Sequence, residues 1–129
     1  MDLGLRTQII VAQGTVYSLS LDTNEGFGIR IEGTFSLNCR DMHYEIDPDH
    51  AAELDQVISL VGYVIEGASV EESGALNLDL EGDVHIHVEP DKQYEAWTFA
   101  GPRGEKVVCG PGGIMSCWSA VVDDHPPTG

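Results

Sequence analysis

Basic side chains are scarce: the 129-residue chain has 6 Lys and Arg against 22 Asp and Glu, a formal net charge of 6 − 22 = −16 with His neutral. Sequence-blind nucleic-acid binding needs cations that displace counterions from phosphates, so this balance excludes it. It equally argues against docking on an anionic membrane surface. Long apolar runs are missing too. The longest uncharged apolar stretch, near Val57 to Ile65, falls well short of the about 20 residues that a bilayer-spanning helix takes. Met1-Asp2-Leu3-Gly4-Leu5-Arg6 lacks the basic-then-apolar layout of a secretory signal. Cysteine is sparse and odd in number (Cys39, Cys109, Cys117), whereas small oxidised scaffolds carry more, in even number. These features predict a cytoplasmic protein with reduced thiols. A Cys109–Cys117 disulfide across a hairpin is the alternative.

What is present is an ordinary globular composition, 42% apolar, on a chain long enough for a single domain over residues 1–122. Residues 123–129, with two prolines, read as a flexible C-terminal tail. Alternation of apolar and polar residues dominates, the mark of half-buried strands. Leu5 to Val11 and Val16 to Leu21 are apolar enough for strands, and Asp22 to Gly26 is loop chemistry. Phe27, Ile29 and Ile31 then alternate with Gly28, Arg30 and Glu32, and Phe35-Ser36-Leu37 suggests a short further strand. Tyr63 to Val70, interrupted at Gly67, is followed by Leu76, Leu78 and Leu80 alternating with polar residues, then by Val84, Ile86 and Val88. Glu95 to Phe99, Lys106 to Cys109 and Ile114 to Trp118 make three last strands joined by Gly-Pro turns.

One segment departs from period two. Ala51, Leu54, Ile58 and Val61, with Val57 beside them, trace one helix face. Asp47 suits the cap, Pro48 the first turn and Gly62 the stop, which predicts a helix over about 48–61. Two blocks, 3–33 and 61–90, share a layout of an apolar strand followed by an alternating hairpin, consistent with an internal duplication. The expected fold is therefore α+β: mainly antiparallel sheet, of two similar β-meanders, with one α-helix between them. Leu19, Leu21, Ile29, Ile31, Leu78, Leu80, Ile86, Val88 and Trp97 should join the helix face in the core.

The register of one hairpin can be derived. A two-residue turn would pair Glu81 with Val84 and put leucines and histidines on one face. A three-residue loop, Glu81-Gly82-Asp83, pairs Leu80 with Val84 and Leu78 with Ile86, keeping one face wholly apolar. Asp79 then stands opposite His85 and Asn77 opposite His87.

His85-x-His87 projects two imidazoles from one strand face, and Asp79 or Glu89 could complete a metal site. The plainer reading is a solvated strand face, and the positions matching the histidines in the other block, Gly28 and Arg30, cannot ligate. Cys109 lies at a strand end, but no spacing ties it to His43, His50 or His125, so a small buried thiol is the expectation. Gly110-Pro111-Gly112-Gly113 lacks the Gly-Lys-Ser/Thr ending of a phosphate loop. Trp97 and Trp118 sit in alternating strands, where packing is the default and exposure would mark a binding hot spot. No catalytic residues are assigned and no cofactor is expected.

The last third, Tyr94-Glu95-Ala96-Trp97, Gly101-Pro102, Val107-Val108-Cys109-Gly110-Pro111-Gly112-Gly113 and Trp118, resembles a bacterial family of unknown function whose members end in this motif. The hairpin from Leu76 to Val88 is similar as well. The resemblance implies a small acidic domain like those that serve as immunity proteins for polymorphic toxins. It carries no catalytic residues across.

Three functions compete. An immunity-type inhibitor would mask a basic partner protein, such as a cognate toxin, because complementary potentials give association rate and specificity. Asp79, Glu81, His85, His87 and Glu89 are its candidate contact residues. A metal-dependent enzyme would use His85, His87 and Asp79. A structural domain would pair exposed strand edges as a homodimer rather than stay a monomer. The bland alternative to all three is that the charge serves solubility alone.

Overall fold

The computed structural model describes residues 1–120, so the tail expected at 123–129 lies outside the described residues. In chain order the strands are β1 (Ile10–Gly14), β2 (Leu19–Thr23), β3 (Gly28–Ile31), β4 (Phe35–Cys39) and β5 (Met42–Ile46), then a helix α1 (Ala51–Leu54). They continue as β6 (Ile65–Val70), β7 (Leu76–Leu80), β8 (Val84–Val88), β9 (Trp97–Ala100), β10 (Lys106–Cys109) and β11 (Met115–Trp118). Two antiparallel sheets result, one of six strands in the order β1-β2-β3-β9-β10-β11 and one of five in the order β5-β4-β8-β7-β6. The successive strands β1-β2-β3 and β6-β7-β8 each pair in sequence, yet neither run is a sheet by itself: β3 goes on to pair with β9, and β8 with β4.

Alternation decides which face of each sheet is buried. Leu19, Leu21, Ile29, Ile31, Trp97, Phe99 and Val107 from the first sheet share one hydrophobic core with Phe35, Leu37, Leu76, Leu78, Leu80, Val84, Ile86 and Val88 from the second. The hairpin register follows the three-residue loop: Leu80 faces Val84, Leu78 faces Ile86, Asp79 faces His85 and Asn77 faces His87. Gly82 and Asp83 turn the chain at φ +77° and +60°, the left-handed region that glycine enters without steric cost.

The helix is much shorter than the apolar spacing predicts. Ala51, Ile58 and Val61 are exposed, while Leu54, Val57 and Leu60 are buried. Competing partners end it. Gln13 on β1 accepts the Leu60 N–H at 2.7 Å and donates to the Ile58 carbonyl at 3.1 Å. The Gly62 N–H donates to the Ile10 carbonyl, and the Ile10 N–H to the Tyr63 carbonyl. The segment after Leu54 is thus drawn alongside β1 by hydrogen bonds that a continued helix would have kept for itself. Asp47 does not cap: its carboxylate accepts from the Asp49 N–H, and the N-cap position is His50, which makes no side-chain capping bond.

The two sheets are joined at one end by a close contact between turns. The Trp97 indole N–H, fully buried, donates to the Gly74 carbonyl at 3.0 Å. Beside it Gly113, at φ +84°, leaves no room for a side chain, since a Cβ there would sit 2.2 Å from the Ser73 carbonyl oxygen. The Gly-Pro-Gly-Gly run is structural. Trp118, by contrast, is 53% exposed, so packing in the core describes Trp97 and not Trp118. No helix among the described residues is long and apolar enough to cross a membrane.

Cys109 faces Met115 and Cys117 faces Val107, and all three cysteines are free, so the alternative Cys109–Cys117 disulfide is not formed. Burial pushes the Cys109 thiol above its ordinary pKa, while Cys117 is exposed. Alkylation of the native protein should therefore modify Cys117 readily and Cys109 only after denaturation, as peptide mass mapping would show. Ile86, 1% exposed, sits at the centre of the apolar face. Ile86→Asp places an unpaired charge there at a cost of several kcal/mol, against a total stability of about 5–15 kcal/mol, and should abolish the cooperative thermal transition. A variant melting like the parent would overturn the face assignment.

Candidate functional site

The face of the five-stranded sheet turned away from the core is built by the same alternation that fills the core. Two rows of polar residues cross it. One runs His43, Asn38, His85, Asp79, Gly67 over β5, β4, β8, β7 and β6; the next runs Glu45, Ser36, His87, Asn77, Ser69. No strand of this sheet contains Lys or Arg, whereas the other sheet carries Arg30 on β3 and Lys106 on β10.

Neighbours in these rows are hydrogen-bonded. His85 sets Nδ1 on Asp79 Oδ1 at 2.7 Å and Nε2 on Asp83 Oδ1 at 3.0 Å. The hydrogen bond to Asp79 first, and that to Asp83 second, raise the His85 pKa above the ordinary imidazole value, against a desolvation effect that lowers it. His87 sets Nδ1 on Asn77 Oδ1 at 2.6 Å and Nε2 on Glu89 Oε1 at 2.7 Å, while the Asn77 amide donates to Glu71. His43 meets Asn38 and Glu45. Four of the five candidate residues, Asp79, His85, His87 and Glu89, are thereby brought together. Glu81 is not: its Oε1 accepts the Val64 N–H and so closes the edge beside β6.

The metal alternative needs ligands that converge. Each ring of the His85-x-His87 pair instead takes its own set of oxygen partners, and no group of three His, Cys, Asp or Glu among the described residues is placed to hold one ion. No buried side-chain nitrogen or oxygen among the described residues lacks a hydrogen-bond partner, and the buried Thr23 hydroxyl donates to the Gln8 side-chain oxygen.

Sequence reasoning missed Asp83, Glu71, Asn38 and His43 as members of this face. Asp83 and Glu71 lie in turns, and β5 carries only one buried residue, Ile46, and so lacks an alternating apolar signal. It also missed an open cleft of about 520 Å³ at the surface, where Tyr17 and Tyr94, 77% and 70% exposed, stand among Glu32, Asp47, Asp91 and Glu95. Those residues come from separate loops, and only their acidity was visible in the sequence.

The chain belongs to DUF6188, a family of unknown function whose model matches residues 1–119. The match spans both halves, including the first, which the motif-based resemblance leaves uncovered. No curated protein and no solved structure matches the chain.

Removing the larger influence on His85 should be visible directly. Asp79→Asn should lower the His85 pKa toward its ordinary value in an NMR titration of ring signals. Because the folded-state value is raised, the stability His85 contributes is fully present below the unfolded value near 6.5 and fades as pH rises through the folded one. In Asp79→Asn that pH dependence of melting should flatten.

Proposed function

We propose that this DUF6188 chain is a small acidic protein-interaction domain of the immunity type, which masks a basic partner protein, and that it performs no bond-making chemistry. The observation that carries the reading is the segregation of charge by sheet. Acidity that served solubility alone would need no such sorting. Here the strand-borne cations, Arg30 and Lys106, lie on the six-stranded sheet, and the five-stranded sheet offers only carboxylates, imidazoles, amides and hydroxyls outward. A predominantly negative surface attracts cations over a Debye length and orients the encounter, which raises association rate and rejects anionic competitors. A paired sheet face is also a rigid platform, so little conformational entropy is lost on docking. Asp79, His85, His87 and Glu89 are its central contacts, with Asp83 and Glu71 at the margin.

Recovery of a basic partner by affinity capture, followed by association kinetics at two salt concentrations, tests this. The rate should fall steeply from about 0.1 M to about 1 M salt, as the Debye length shrinks from about 10 Å to about 3 Å. Charge reversal of Asp79 and Glu89 to Lys should slow association by about tenfold or more. The same change at Glu25, in the β2–β3 turn of the other sheet, should do far less. A rate indifferent to salt and to both reversals would refute the reading.

A further inference from the structure

Donor and acceptor counting across the same face leads one step further. An ionised carboxylate only accepts hydrogen bonds, so a ring with carboxylate oxygens on both nitrogens must donate from both. His85 meets that condition, between Asp79 on β7 and Asp83 in the β7–β8 turn. The ring of His85 therefore carries its second proton in this arrangement and offsets part of the negative charge of the two carboxylates. One row on, His87 lies between Glu89 and the oxygen of Asn77, whose amide nitrogen donates to Glu71.

The remaining neighbours do not alter that balance. From β4, Asn38 flanks His85 and Ser36 flanks His87, both uncharged. Beyond them on β5 stand His43 and Glu45, bonded to each other. Glu71 approaches His87 Nδ1 at 3.7 Å. Arg40, in the β4–β5 turn, bonds the Asp83 carbonyl through its backbone N–H.

We propose, resting on the docking reading above, that this face exchanges protons for partner cations. Docking of lysine or arginine side chains on Asp79 and Asp83 expels the extra ring proton of His85 to solvent, so acid loosens the complex and mildly alkaline solution tightens it. The logic is reciprocal linkage. A cation brought beside the carboxylates repels the imidazolium charge and favours the neutral ring, so a higher pH must in turn favour the cation. Each proton fully released makes affinity rise by about tenfold per pH unit within the titration range.

Decalysine peptide serves as the cationic probe, titrated calorimetrically into the full chain at low salt. Measurements at about pH 6 and about pH 8, each in two buffers of different ionisation heat, span the range in which imidazoles change charge. Affinity should rise at least about tenfold between them, with a buffer-dependent heat that reports released protons. The variant His85→Asn should lose both the pH dependence and the buffer-dependent heat. His50→Asn, away from this face, should keep them. Ring-nitrogen NMR gives a readout that needs no ligand: near pH 6.5 His85 should show both nitrogens protonated. Decalysine bound with equal affinity at both pH values, or a singly protonated His85, overturns the exchange and leaves the docking reading standing. Absence of decalysine binding at every pH overturns the docking reading and the exchange with it.

Discussion

In the β7–β8 hairpin the chain reverses through Gly82 and Asp83 in left-handed conformation, and Leu80 consequently meets Val84. Because side chains alternate with period two, that single pairing sends Leu76, Leu78, Ile86 and Val88 to the core and Asn77, Asp79, His85 and His87 to solvent. A slip of one residue would exchange the two sets on one strand, burying imidazoles beneath the leucines at a prohibitive desolvation cost. The same constraint passes outward to β4, whose Phe35 and Leu37 pair with Val88 and Ile86, and on to β5. Core and surface are therefore two faces of one decision about register.

This is why the hairpin was legible in the sequence while, of the helix, only the existence and not the extent was. Alternation is a strong signal where one face is wholly apolar, as in β7 and β8. It is weak in β5, where Ile46 is the sole buried residue and His43 and Glu45 point outward, and that strand went unread. The helix from 48 to 61 failed for a different reason. Its apolar spacing is real, but the bonds to Gln13, Ile10 and Tyr63 that end it at Leu54 come from distant chain or from the segment's own continuation, and propensity yields to tertiary partners. At the surface, the facing of Asp79 with His85 was readable because it follows from register. Nothing in the sequence position of Glu81 announces its bond to Val64, and the Tyr17–Tyr94 cleft is assembled only when remote loops meet.

The electrostatic character of the molecule is likewise a property of sheets and not of composition. A net charge of −16 describes the whole chain. The placement of Arg30 and Lys106 on the six-stranded sheet, with Lys106 lying over the exposed Trp118 ring, gives the domain two unlike sides. One is strongly anionic and partly compensated by imidazoles. The other has small residues, an exposed indole, Lys106 in one row with Asp22, and Arg30 paired with Glu32. Membership of DUF6188 extends over residues 1–119, so both sides fall within what the family model describes.

The contact of Gly113 with the Ser73 carbonyl, together with the buried Trp97 tether to Gly74, gives the sandwich a fixed corner. Two stacked layers riveted at a corner shear far less easily than they hinge. The end of β6 remote from the β6–β7 turn is stitched as well, because the Ile65 N–H donates to the Gln8 carbonyl, the Thr7 N–H to the Ile65 carbonyl and the Ile10 N–H to the Tyr63 carbonyl. With both ends of the sandwich held, the sheet that bears the imidazole–carboxylate rows is kept in place against the layer beneath it.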